Sequence, residues 1–493
     1  MKPHLKRLTA LLLLPPLLLL SGCGKVFDTV TLEKEITTVT LPKDLSNLTP
    51  APVGDERATG LFRPFIYYAD LSGEIFQPRT RVLSAHAEED YIKRLAEEVL
   101  NTPSSGALAV APKDTRILAT ETGNTLSLVR LLPSSSLTQK EVYLLSSALS
   151  KTVFENTDVE GVSLMLSDRA LTLGNLPLGV ITEETDLNAY FSEDKPAPGG
   201  TYTRNVSLYY PAADGEHMLA QTASVGINVS DPVSSLLSAL CRAPETEAAC
   251  SLRLNPETAF EKPSEYTINA NGDRILNLFL TESALSSLSS GKHTLSQAFA
   301  AITLTLTTFR PETDGVSIRF PSGQVTEATL AKGEKARFEN GILTRSAFAP
   351  LIGECVNVYS PGAGEFLTTE TRVLPLTDLL SVRIRLGCVF ESSKTRASAS
   401  FFPEGVTERD ILGIRVADGT AHIHLSGDLY RKCQAFSRTE EELFVYSIVN
   451  TLTELDAVSG VRFYVEGETV SVLTRYVHIE STLLANPGRV SER

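Results

Sequence analysis

The sequence predicts an α+β protein of three tandem small α/β units, each a three- to four-stranded sheet packed against two helices. The chain has 493 residues, about three times the length that one hydrophobic core usually serves. It contains 42% hydrophobic and 21% charged residues, which is typical of globular domains. Tyr followed five residues later by Gly-Glu occurs three times, beginning at Tyr68, Tyr210 and Tyr359.

The first helix of each copy is predicted from apolar spacing and from signals at its ends. In the first copy, apolar residues at helical spacing are followed by a proline at 103. In the second copy, Asp231 is an N-cap with Pro232 in the first turn. The helical stretches lie at 88–103, 231–244 and 379–389.

A strand or hairpin, a second helix and a last strand complete each copy. Asp418-Gly419 lies between two alternating runs, which is a strong hairpin signal. The last strand begins with Gly-Val in every copy, where glycine suits the reversal after a helix. The strand or hairpin segments are 124–132, 274–283 and 413–429, and the second helices are 141–155, 295–309 and 440–455.

The spacing of the copies predicts the domain boundaries. We expect domains at 62–198, 199–345 and 346–478, followed by a C-terminal tail at 479–493. Thr152 and Thr451 lie at the same distance before the last Gly-Val, whereas Thr305 is one residue further away. The positions that the copies share are expected to make the fold.

The N-terminus predicts a lipid-anchored protein. Residues 1–22 combine basic residues with a short apolar stretch, which is typical of a secretory signal peptide. The signal ends in Leu-Ser-Gly-Cys, which resembles the bacterial lipobox, so lipidation is expected at Cys23. Residues 23–61 then form a tether. The body is expected on the extracytoplasmic face of the bacterial membrane, held by its acyl chains.

Charge and cysteine content bear on the possible partners, disulfides and metal sites of the protein. The formal net charge is −14 with no basic stripe, which argues against a nucleic-acid partner. Cys241 and Cys250 flank a short segment and are candidates for a disulfide. No cofactor motif is present, and no metal site is expected. His422 and His424 alternate on a predicted strand, but no third ligand joins them.

The ordered motifs resemble the GerMN domain, which is named for a bacterial sporulation and spore-germination lipoprotein. In the second copy, the resemblance is carried by residues 208–210, Gly215, 305–307 and Gly315-Val316. In the third copy, it is carried by residues 451–453 and Gly460-Val461. The resemblance implies a fold like the ring-building motifs of secretion and sporulation channels. It also implies a non-enzymatic role in assembling or positioning a complex at the envelope. The familiar proteins have two copies, whereas this chain has three.

Partners and alternatives follow from the same pattern. Arg81 and Arg372 match the arginine of the first hairpin and are candidates for a partner surface or for an ion pair within the domain, while Ala223 replaces them in the second copy. Envelope proteins or self-association are the expected partners. One alternative is a module that binds cell-wall peptidoglycan through the hairpin Tyr and Arg residues. A second alternative is an envelope hydrolase, although the sequence contains no metalloprotease or catalytic-triad motif.

Overall fold

The computed structural model describes residues 59–491 apart from 104–105, 168, 192, 331–332, 363, 396–402, 404–405 and 456. Cys23, the predicted signal and almost all of the predicted tether lie outside the described residues. The described part has an α+β fold, as predicted. Its buried side chains form three hydrophobic clusters in chain order, and we name the surrounding elements the first, second and third units.

The described residues of the first unit form ten strands, several of them short, and three helices. The strands are β1 (Thr59–Phe62), β2 (Phe65–Ala69), β3 (Phe76–Thr80), β4 (Leu83–His86), β5 (Arg116–Thr122), β6 (Ser127–Leu132), β7 (Val162–Leu166), β8 (Thr172–Leu173), β9 (Leu176–Pro177) and β10 (Val180–Ile181). The helices are α1 (Ala87–Leu100), α2 (Gln139–Asn156) and α3 (Leu187–Phe191).

In the part of the second unit that the structure describes, there are eight strands and four helices. The strands are β11 (Thr201–Pro211), β12 (Met218–Asn228), β13 (Phe260–Ile268), β14 (Arg274–Leu280), β15 (Gly315–Phe320), β16 (Gly323–Gln324), β17 (Glu327–Thr329) and β18 (Lys335–Arg337). The helices are α4 (Pro232–Leu240), α5 (Glu282–Ser289), α6 (Leu295–Phe309) and α7 (Arg345–Phe348).

The third unit has five strands and three helices among its described residues. The strands are β19 (Ile352–Pro361), β20 (Leu367–Pro375), β21 (Ile411–Ala417), β22 (Thr420–Leu425) and β23 (Gly460–Val465). The helices are α8 (Val382–Thr395), α9 (Gly427–Cys433) and α10 (Arg438–Leu452). The short helices α5 and α9, which the sequence analysis did not predict, separate the second hairpin from the long helix in two of the units.

All three units share one topology. A first hairpin (β2–β3, β11–β12 or β19–β20) is followed by a helix and by a second hairpin (β5–β6, β13–β14 or β21–β22). A long helix then connects the second hairpin to a last strand, which pairs in parallel with the strand before the helix. The predicted Asp418-Gly419 turn joins β21 to β22, and both residues have positive φ, as a tight hairpin turn requires.

The long helices begin in the same way because their sequences contain the same capping motif. Thr138, Thr294 and Ser437 are the N-cap residues, and each side chain accepts a hydrogen bond from the backbone N–H three residues later. A Glu or Gln at that third position accepts a hydrogen bond from the N-cap backbone in return. This reciprocal pair satisfies amide groups that would otherwise lack partners at the start of α2, α6 and α10.

One threonine hydrogen bond joins the long helix to the first hairpin in every unit. The Oγ1 atoms of Thr152, Thr305 and Thr451 accept from the backbone N–H groups of Tyr67, Tyr209 and Tyr359, at 3.0, 3.0 and 2.9 Å. The helix therefore supplies an acceptor to a strand amide that faces it. This bond makes the three threonines structurally equivalent, including Thr305, which is offset in the sequence.

The same bonds correct the alignment of the tyrosines. Tyr359 is equivalent to Tyr67 and Tyr209, so the predicted equivalence of Tyr359 with Tyr68 and Tyr210 is wrong by one residue. Tyr209 pairs with Ala220 across its hairpin, whereas Tyr359 pairs with Thr369, so the third hairpin is one residue shorter. In the third unit, Ser360 is the residue equivalent to Tyr68 and Tyr210, whose side chains are buried in the other two units.

The units are connected through sheet and side-chain contacts. β12 and β19 pair in parallel, so the first hairpins of the second and third units form one four-stranded sheet. β1 pairs with β21 through Thr59 and Ala417. Arg204 of β11 is almost fully buried and forms an ion pair with Glu193 at 2.7 Å, beside the ring of Tyr190. The described units therefore contact one another along the chain.

A second connection centres on Arg345, at the start of α7. Its guanidinium forms an ion pair with Glu121 of β5 at 2.5 Å and donates to the hydroxyls of Thr308 and Tyr209. Burial opposes the charged form, but Tyr209 and Glu121 outweigh it, so the pKa of Arg345 is raised. The ion pair connects the first unit to the residues that precede the third.

The first and third units also meet at Glu354 of β19, whose carboxylate is 7% exposed. It accepts hydrogen bonds from the backbone and the hydroxyl of Thr125. Burial raises the pKa of Glu354, and the hydrogen bonds from Thr125 oppose that change. No cation among the described residues forms an ion pair with this carboxylate.

The segment after 478, predicted as a tail, packs against the third unit as far as Ser491. Leu483 pairs with Val461 of β23, and Asn486 exchanges hydrogen bonds with Asn450. The segment covers the edge of β23, where unpaired backbone groups would otherwise remain. The preceding turn is held by Glu441, whose buried carboxylate accepts from the backbone N–H groups of residues 474–477.

Candidate functional site

The glycines of the repeated pattern form the tips of the first hairpins. Gly73, Gly215 and Gly364 have φ values of +79°, +83° and +80°, a region that side chains with a Cβ rarely adopt. In the first unit, Asp70 lies before the glycine and accepts hydrogen bonds from the following backbone amides. The repeated glycines therefore shape a turn.

The two predicted arginines make contacts within the chain. Arg81 lies 4.0 Å from Glu98 and 5.8 Å from the centre of the Tyr68 ring. Arg372 forms ion pairs with Glu370 and Glu391, at 3.1 and 3.4 Å, and donates to Ser392. These contacts agree with the interpretation of an ion pair within the domain.

The predicted disulfide is absent from the structure. Cys241 and Cys250 are both free thiols, as are the other three cysteines of the described part. The Cys241 thiol lies at the end of α4 and donates to the carbonyl of Leu237 at 3.2 Å. Burial raises the pKa of Cys241, which keeps this thiol protonated.

His422 and His424 share one face of β22, as their spacing predicts. The Nδ1 atom of His422 lies 3.0 Å from the Tyr464 hydroxyl, and the His424 ring stacks on the Tyr464 ring at 4.7 Å. Burial, Arg415 and Arg462 lower the pKa of His422. No group of three or more metal-ligating side chains occurs among the described residues, and these histidines have cations as neighbours.

A groove of about 430 Å³ lies in the first unit. Three elements build it: the tip of the β2–β3 hairpin, one face of α2, and the segment from β10 into α3. The rings of Phe76, Tyr143 and Phe154 line its apolar part, and Phe76 lies 6.3 Å from Tyr143 in edge-on contact. The groove is within the size range of ligand and peptide sites in proteins.

The groove combines exposed apolar side chains with an acidic rim. Ile75, on its edge, is 59% exposed, and the nearby Leu71 at the hairpin tip is 71% exposed. Glu74, Glu183 and Asp186 line the rim, and the only lysine among its described lining residues is Lys151. The arrangement suits an apolar side chain that is flanked by basic groups.

Sequence reasoning missed this groove because its parts come from distant segments. The hairpin tip, the helix and the segment at 181–188 are far apart in the chain. One signal was visible in the sequence: the turn of the first copy carries Leu71 and Ile75, apolar residues in a place where polar ones are usual.

No helix of the described part is long and apolar enough to cross a membrane. Together, the shared topology and the hairpin tips define the class of protein. It is a tandem-repeat α+β protein with three copies of one unit and a groove at the tip of the β2–β3 hairpin.

One part of the chain matches the model of a known protein family. Residues 368–471 match the family model described as Germane, sporulation and spore germination. The match spans most of the third unit and confirms the predicted recognition of a GerMN-type protein. No curated protein matches the chain.

Two solved structures are similar to the chain at 16% identity. One shows the tandem GerMN domains of the sporulation protein GerM from Bacillus subtilis, with a TM-score of 0.23, covering 58% of this chain and 99% of that one. The other, from Clostridium perfringens, is described as a candidate lipoprotein, with a TM-score of 0.17, covering 25% of this chain and 89% of that one.

Proposed function

We propose that this protein is a lipid-anchored, non-catalytic envelope protein that assembles or positions a complex in sporulation or spore germination. The Germane match in the third unit supports the process. The lipobox-like sequence ending at Cys23 supports the anchor. The observation that carries the assembly role is the first-unit groove, with its exposed apolar edge and acidic rim.

The groove fits a protein segment better than a small polar ligand. Ile75 and Leu71 keep large apolar surfaces in water, and a partner that covers them gains hydrophobic free energy. The rim carboxylates favour a partner segment with Lys or Arg beside its apolar anchor. The occupant is therefore an apolar segment with flanking basic residues in another envelope protein.

Crosslinking and co-purification from sporulating cells test this role. The double variant Leu71→Ser, Ile75→Ser should lose the captured partner and lower spore formation or germination to the level of a deletion. Leu484→Ser is the matched control, because Leu484 is 65% exposed and lies outside the groove. Retention of the partner by the double variant, or its loss in the control, would contradict the assignment of the groove.

Lipid anchoring is tested separately from docking. Cys23→Ala should move the protein from the membrane fraction to the soluble fraction, because two or three acyl chains are needed for stable attachment. Retention of this variant in washed membranes would contradict the anchor. Binding of the partner to the groove can still be measured in the Cys23→Ala variant.

The two alternative functions have direct tests. Tyr68 and Tyr210 are almost fully buried and donate to carbonyls of α1 and α4, so these two tyrosines do not favour wall binding. A pull-down with purified peptidoglycan would detect wall binding. A zymogram would detect an envelope hydrolase, which the proposed function excludes.

A further inference from the structure

The third unit carries a cluster of basic and aromatic side chains on the sheet face that points away from its core. Arg415 of β21, His422 of β22 and Arg462 of β23 are cross-strand neighbours in one row. His424 and Tyr464 form the next pair on the same face. Since strands lie about 4.8 Å apart, the row is about 10 Å wide. We name these five residues the Arg–His face.

The fold itself does not need this cluster, as the other two units show. The units can be aligned by the pairing of the last strand with the strand before the long helix. In this alignment, Leu128 and Ser163 of the first unit are equivalent to His422 and Arg462 of the third. Both of those first-unit side chains are buried. The same topology is therefore built without cations at these two positions.

The second unit fills the same two positions with neutral groups that bond to side chains of neighbouring strands. Asn277 donates to Thr267, and Ser317 accepts a hydrogen bond from Gln324 at 3.0 Å. A cation at the position of Arg462 is therefore specific to the third unit, since the other two units have Ser163 and Ser317 there.

The Arg–His face has hydrogen-bonding capacity that the described residues leave unused. Neither Arg415 nor Arg462 forms an ion pair with any residue that the structure describes, although the chain has 59 acidic and 45 basic residues. Other arginines, such as Arg345 and Arg372, are paired with carboxylates. The Nε atom of Arg462 is shielded from water and has no hydrogen-bond partner.

The charges around the histidines are arranged to receive an anion. Burial lowers the pKa of both, and the nearby arginines lower that of His422 further. Asp418, at the turn beside the row, acts in the opposite direction on His422. A bound anion would relieve the repulsion between the two guanidinium groups and favour protonation of both rings.

We propose that the Arg–His face binds phosphate groups of a linear polyol-phosphate polymer. Guanidinium groups match the oxygens of a phosphate, and two of them on either side of His422 can hold one group or two successive groups. A thin polymer can reach this face alone. A planar anionic membrane is disfavoured, because it would also approach the rest of the body, whose negative formal charge repels the membrane.

Binding of an oligomer of glycerol phosphate tests the proposal. The full chain with Cys23→Ala is titrated by calorimetry at low salt, so the result does not depend on the anchor or on the proposed docking role. Arg462→Gln and Arg415→Gln should each weaken binding at least about tenfold, since each removes a charge-assisted hydrogen bond. The affinity should also fall with added salt.

The matched control is Arg319→Gln, at the second-unit position equivalent to Tyr464, where the guanidinium donates to Ser317. This variant loses the same charge and should bind as the parent does. Saturation with the oligomer should raise the pKa of His422 and His424, which is measured by NMR of ¹³C-labelled histidine. Unchanged thermal unfolding of each variant shows that the fold is intact.

Three results would overturn the proposal. The first is no binding of the oligomer by the parent chain. The second is equal weakening in Arg319→Gln and Arg462→Gln, which would show only general charge attraction. The third is binding to phosphatidylglycerol vesicles that the oligomer does not displace, which would assign the face to the membrane.

Discussion

The threonine that joins each long helix to its hairpin allows a sharp test of the repeat architecture. In the second unit, Thr305 is fully buried, and its hydroxyl accepts from the backbone N–H of Tyr209 at 3.0 Å. Thr305→Val keeps the shape of the side chain and removes the acceptor. The variant should therefore leave a buried amide without a partner and create no cavity.

The expected cost is that of an unsatisfied buried N–H, about 1–3 kcal/mol in the free energy of unfolding. Thr307→Val is the control on the same helix. Thr307 is also buried, but its hydroxyl donates to the carbonyls of Thr303 and Leu304, at 2.7 and 3.4 Å, and accepts no hydrogen bond from a strand amide that the structure describes. Its loss should change the free energy by less than about 0.5 kcal/mol, because the added methyl group offsets the lost bond.

Urea unfolding followed by circular dichroism measures both variants, since the chain contains no tryptophan. Hydrogen exchange adds a local readout: the Tyr209 amide should exchange faster in Thr305→Val and keep its protection in Thr307→Val. If the two variants lose equal stability, or if Tyr209 stays protected in both, the helix–hairpin bond does not have the role assigned to it.

Three further predictions follow from single groups. Glu354→Gln should become more stable relative to the parent as the pH rises from about 4.5 to 7, because burial raises the pKa of Glu354 and the folded state favours its protonated form. A pH-independent difference in urea unfolding would refute this. Glu441→Gln should lose about 1.5–3 kcal/mol at pH 7. Burial opposes ionisation of Glu441, but hydrogen bonds from Thr474 and the following amides lower its pKa. The loss of stability should therefore be smaller in acid than at pH 7. Urea unfolding in acid and at pH 7 measures the difference. Gly215→Ala should cost about 1 kcal/mol because φ is +83° there, whereas Gly226→Ala, in an open strand position, should cost nothing measurable in thermal unfolding.

Much of the fold could be predicted because its signals are local. The Asp231 cap, helical spacing, the Asp418-Gly419 turn and the Gly-Val strand starts depend on neighbours within a few residues. The hairpin alignment of the third copy failed for the converse reason. A one-residue deletion in a turn leaves the sequence pattern nearly intact, and only the bond from Tyr359 to Thr451 reveals it.

The candidate sites were harder to predict because their residues converge from distant segments. His422 and His424 were visible as a pair, but Arg415 and Arg462 join them only through strand pairing. Arg372 was visible as well, yet its acidic partners lie on its own strand and on α8. A spacing pattern does not reveal which cations are paired.

The sequence by itself determined the repeated unit and its order of elements, since both depend on short stretches, and the anchor at Cys23 stays a prediction from the same kind of signal. The tertiary structure decided how the units join, which arginines are paired, and where exposed apolar and basic surfaces remain. The physical reason is distance along the chain. Pairing of β12 with β19, the contact of Arg345 with Glu121 and the first-unit groove depend on segments that only folding brings together.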